Sequence, residues 1–66
     1  MRYEFIVEGS VSAVVLGALP GFRATPYPTG GTALFGPVRD EPEVTTLLGR
    51  LANLGIAVIE TRQLPD

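Results

Sequence analysis

Two adjacent glycines, Gly30 and Gly31, stand near the middle of the chain between short runs rich in strand formers. Glycine reaches positive φ at little steric cost, so Thr29-Gly30-Gly31-Thr32 is the strongest turn signal present. It reads as a hairpin joining a strand over Phe22–Tyr27 to another over Thr32–Phe35. Pro26 and Pro28 interrupt the earlier strand. A proline donates nothing to a ladder, which assigns that strand to a sheet edge or a bulge. Gly36-Pro37 ends the later one.

Each arm of this hairpin continues outward into a helix and a strand. At the start, Arg2–Glu8 alternates, with Tyr3, Phe5 and Val7 on one face and Glu4 and Glu8 on the other. Gly9 closes this strand and Ser10 follows at the N-cap position of a helix over Val11–Leu19, which Pro20-Gly21 stops. That helix is weak, because β-branched residues and Gly17 lower its propensity, and packing must hold it. The later helix is better marked. Asp40 caps it, Glu43 reaches back three residues later, and Pro42 is tolerated in the first turn. Glu41 and Glu43 also meet the positive end of the helix dipole. Val44, Leu47, Leu48, Leu51 and Leu54 form one apolar stripe, and Gly55 suits the left-handed C′ position. Ile56–Gln63 is the last strand, ended by Pro65.

The order is therefore βαββαβ. Right-handed crossovers around a central hairpin give an α+β, ferredoxin-like split βαβ domain, with spatial strand order 4-1-3-2 and both helices on one face. This topology puts the proline-bearing second strand at an edge, where its composition requires it to be. The whole chain, residues 1–66, reads as one domain.

Certain stretches resemble a group of short uncharacterised proteins common in actinobacteria. They are Gly36-Pro37-Val38-Arg39-Asp40, the leucine helix, Leu54-Gly55-Ile56 and Glu60-Thr61-Arg62-Gln63-Leu64-Pro65, with Tyr3-Glu4-Phe5 and the Gly30-Gly31 hairpin. The resemblance implies fold and origin. Its motifs are packing and capping residues, so it carries over no functional residue.

Composition removes several function classes. The chain contains no Cys and no His, and its positive charges are five arginines with no lysine. Disulfides, zinc sites and the usual nucleophile–base pairs are absent on inventory. No cofactor is expected. Ser10 and Ser12 have no base to activate them and are assigned to helix capping. The acidic run Asp40-Glu41-Pro42-Glu43 likewise reads as capping and not as a metal site, because calcium demands six or more oxygens from an enclosing loop. Gly30-Gly31 precedes a strand where a phosphate loop would need a helix and a lysine. Seven acidic residues give a net charge of −2, and the arginines are scattered, which argues against nucleic acid. The longest apolar run, Val11–Gly21, is too short to span a membrane. Glu4 and Glu8 precede it where a signal peptide carries positive charge, so a cytoplasmic location is expected.

A domain this small buries a limited core, and oligomerisation is the remaining way to supplement it. A homo-oligomer, most simply a dimer, is therefore expected. The last strand reads either way, with Ile56 and Val58 on one face and Ala57, Ile59 and Thr61 on the other. If the face bearing Glu60 and Arg62 is the open one, Arg62 pairs with Glu4 or Glu8, and Ile6, Ile56 and Val58 form an outward apolar strip. Tyr27, set between two prolines, is a further candidate interface residue. Three functions follow. The first is a non-enzymatic interaction or regulatory module, acting as a homo-oligomer or as an accessory subunit of a protein partner. The second is a small-ligand domain resembling the ACT domain in topology, which implies a ligand site at the turn formed by Gly9 and Ser10. The third, a cofactor-independent enzyme resembling dimeric ferredoxin-like barrels, would require an apolar pocket with a buried carboxylate.

Overall fold

The computed structural model describes residues 1–66. Its elements are β1 (Arg2–Val7), α1 (Ala13–Gly17), β2 (Arg23–Pro26), β3 (Thr32–Pro37), α2 (Glu41–Asn53) and β4 (Val58–Leu64). The four strands form one antiparallel sheet in the order β2-β3-β1-β4, which is the ferredoxin-like arrangement the sequence leads to. No helix is long and apolar enough to cross a membrane.

The core lies between the sheet and the helices. Tyr3, Phe5 and Val7 of β1 and Leu34 of β3 meet Val15 and Leu19 from the first crossover and Val44, Leu47 and Leu51 from α2. Phe22 stacks on Phe5, with ring centroids 5.6 Å apart and planes within 6°. Its backbone presses directly on Gly36, the β3 residue opposite Tyr3.

The α2 capping signals hold in detail. Asp40 Oδ1 accepts from the Glu43 amide at 3.0 Å, while the Glu43 carboxylate accepts from the Arg39 amide at 2.8 Å. Gly55 has φ +76°, as the C′ position requires. Leu54 stands at the C-cap, beyond the last helical turn, and is 43% exposed instead of joining the stripe.

The first helix departs from expectation. It is five residues long, and Ser12, not Ser10, is its N-cap, accepting from the Val15 amide at 3.3 Å. Val15 and Leu19, four apart, are buried, whereas Val14 is 79% exposed. Strands shift in smaller ways. β3 runs on through Gly36 to Pro37, because Pro37 falls at a position of the ladder where no amide is needed. β4 starts two residues late, at Val58.

Candidate functional site

The turn between β1 and α1 lies alongside the edge strand β2, and between them runs a shallow, open groove of about 410 Å³. One wall is Gly9, Ser10 and Val11; the other is Ala24, Thr25 and Pro26; Gly31 and Thr32 form the floor. The local sequence builds this arrangement. Gly9 takes φ +70°, a left-handed backbone that glycine adopts at little cost, where the chain swings out of β1. Because α1 starts only at Ala13 and lasts five residues, nothing helical covers β2, all of whose residues are exposed.

Thr32 joins the walls. Its hydroxyl donates to the Gly9 carbonyl at 2.6 Å, and it is the one polar side chain buried in the core. Beside it Gly31, at φ +84°, leaves no room for a Cβ, which would collide with the Val7 carbonyl. The hairpin end and the β1–α1 turn are thus fixed to each other. The amides of Gly9, Ser10 and Val11 donate to no carbonyl or side chain, and they remain free for a ligand or water. None of the lining side chains is ionisable. Such a site can hold a molecule by shape and backbone hydrogen bonds, but it holds no acid or base.

Gly9 and Ser10, the two residues assigned to a ligand site from the sequence, both lie along this open groove. Thr32 was missed. Its signal was positional, since register with Val7 at the start of β3 sets it beside the residue where β1 turns away.

The candidate interface residues are not gathered into an exposed strip. Ile6 does face away from the helices, but it is only 2% exposed. Ala33 and Glu60 lie directly across from it, with the Glu4–Arg62 pair one step along the same face. Ile56 and Val58 pack against the helix-side core. The cause is a β-bulge: the register shifts between Ile6 and Val7, leaving Ile59 as an extra residue and turning Val58 inward opposite Val7. Ile59 is then 60% exposed. Tyr27 is half-buried.

Arg62 does pair with Glu4, donating at 2.7 Å. That hydrogen bond, then the Glu4 charge, raise the guanidinium pKa above its usual range, with Glu60 and Tyr27 adding to the field. Tyr3 is bound similarly on the helix side. Its hydroxyl donates to Glu41 at 3.0 Å, and this bond, with burial and the carboxylate's charge, raises the phenol pKa.

A second groove, also about 410 Å³, lies among Pro20, Pro37, Val38, Arg39, Glu43, Leu47 and Arg50. Its charged groups are already engaged. Arg39 bridges Asp40 and Glu43, and Arg50 donates to the Ala18 carbonyl at 3.1 Å. No group of side chains is placed to hold a metal ion.

The sequence profile of a domain of unknown function, DUF8691, matches residues 2–62. The chain belongs to the DUF8691 family. That match takes in β1 to β3, both helices and β4 as far as Arg62, so the groove is part of the DUF8691 domain itself. Searches of curated proteins and of solved structures return no match.

Proposed function

We propose that this DUF8691 domain is a non-enzymatic regulatory or interaction module that holds a small polar ligand in the groove between the β1–α1 turn and β2. The observation that supports it is the lining: eight residues, none ionisable, with three free amides along one wall. The groove's volume falls within the range of small-molecule sites, roughly 300–1,000 Å³. A free amino acid suits it by size and by its need for amide donors around the carboxylate. This is the ligand class that the topological likeness to the ACT domain suggests, and fold likeness adds only analogy. A cytoplasmic, actinobacterial setting belongs to the same proposal.

The test is an amide-resolved NMR titration of the labelled protein with the common amino acids at millimolar concentration. At least one is expected to shift the Gly9, Ser10, Thr25, Gly31 and Thr32 signals together in a saturable manner. Unmoved signals across the whole set would remove the groove as an amino-acid site.

A further inference from the structure

The sheet has two free edges, and they differ. The pairing of Met1 with Val38, in which the Met1 ammonium donates to the Val38 carbonyl and the Val38 amide donates to the Met1 carbonyl, fixes the phase of the ladder. From it, Tyr3, Phe5 and Val7 direct their backbone groups to β3, and Arg2, Glu4 and Ile6 direct theirs to β4. Glu60, Arg62 and Leu64 therefore bond inward to β1, and Thr61 and Gln63 direct their amides and carbonyls outward. By the same alternation Ala24 and Pro26 point outward on β2. Pro26 has no amide, which blunts that edge. β4 carries no proline between Val58 and Leu64, and its residues from Ile59 to Gln63 are all exposed.

The sequence of β4 is self-complementary about its central residue. Written outward from Thr61, it places Glu60 against Arg62, Ile59 against Gln63 and Val58 against Leu64. In an antiparallel pair of β4 strands, outward-pointing residues must face outward-pointing residues, so only alternate registers are open. Centring on Glu60 or on Arg62 puts like charges directly opposite each other, which is destabilising. Centring on Thr61 puts each Glu60 opposite the other copy's Arg62. Among the registers centred on Glu60, Thr61 and Arg62, only the Thr61 register sets opposite charges against each other, and it also pairs the whole of β4, Val58 through Leu64, with its copy.

We infer that β4 is a homodimerisation edge. Two copies pair antiparallel through Thr61 about a two-fold axis perpendicular to the sheet, giving an eight-stranded sheet from two four-stranded ones. Both helical layers then lie on the same side. Each Arg62 sits between its own Glu4, at 2.7 Å, and the other copy's Glu60. The groove at β2 is on the opposite edge, so this assembly stands or falls independently of the ligand proposed there.

The test is the solution mass of the protein by sedimentation equilibrium up to millimolar concentration, with circular dichroism to verify folding. The wild type is expected to reach twice the chain mass. Thr61→Pro removes an outward amide that β1 does not use, and is expected to be folded and monomeric. Glu60→Arg and Arg62→Glu each place like charges across the two-fold and should weaken association at least about tenfold. Mixed together, these two variants restore opposite charges at both positions and should form a heterodimer. A wild type that stays monomeric would overturn the inference. So would a folded Thr61→Pro dimer, or a mixture that associates no better than its parts.

Discussion

Replacing Gly36 with alanine tests whether the fit between β3 and the segment entering β2 limits the stability of this domain. A Cβ at that position would lie 2.7 Å from Cδ1 of Phe22, and 2.8 Å from both its Cγ and its Cα. Favourable carbon–carbon contact begins near 3.5 Å. The ring could swing aside only by giving up its stack on Phe5, and the Cα cannot rotate away at all. Overpacking of this kind costs about 1–3 kcal/mol. Alanine also restricts the unfolded chain, which returns about 0.4–1 kcal/mol where the backbone angles suit it. The net expectation is a loss of about 1–2 kcal/mol. At about 0.05–0.15 kcal/mol per residue the whole domain has only about 3–10 kcal/mol to lose. Melting should fall by roughly 5–15 °C at a fixed protein concentration, since any dimer would link stability to concentration. Urea denaturation followed by circular dichroism should show a lower midpoint with an unchanged slope. An unchanged or higher midpoint would refute the reasoning, because it would mean that the Phe22 backbone retreats at no cost.

Gly49 provides the opposite case: a Cβ there meets nothing within 4 Å, and the residue is exposed within α2. Gly49→Ala should therefore stabilise by about 1 kcal/mol through helix propensity, seen as a higher urea midpoint. Ile6→Asp, which would be a mild surface change were Ile6 on an open strip, buries an uncompensated carboxylate at a site 2% exposed. It should cost about 3 kcal/mol or more and leave much of the chain unfolded by circular dichroism at neutral pH. Tyr3 has a raised folded-state pKa, chiefly through its hydrogen bond to Glu41. Its contribution to stability is fully present below the unfolded phenol pKa of about 10 and is lost as pH rises through the folded value. Stability measured from pH 8 to 11 should fall at the alkaline end, and Tyr3→Phe should flatten that fall.

The topology was legible because its strongest local signals agree with one another. A double glycine fixes the hairpin, the Asp40–Glu43 cap and Gly55 bracket α2, and prolines mark β2 as an edge. What escaped the sequence was phase. Ser10 and Ser12 are equally good caps on composition, and only packing of Val15 and Leu19 against the sheet decides for Ser12. In β4 the run Ile56-Ala57-Val58-Ile59 is apolar on both faces, so alternation cannot show which residue is extra. The bulge at Ile59 settles that, and with it the fate of the expected apolar strip. The groove was half visible. Gly9 and Ser10 mark its turn, but its other wall exists only because α1 is too short to cover β2, a consequence of the same unread phase.

The strand order β2-β3-β1-β4 interlocks the two halves of the chain. Within the first half, β1 and β2 are not neighbours; within the second, β3 and β4 are not neighbours either. Every ladder in the sheet joins one half to the other, and β1 is threaded between both strands contributed by the second half. Neither half has a strand pair of its own to retain. A chain severed at the Gly30-Gly31 turn would yield two fragments without sheet structure apart, and a sheet only when they meet. The domain is thus a natural two-part complementation pair, in which order in either piece reports the presence of the other.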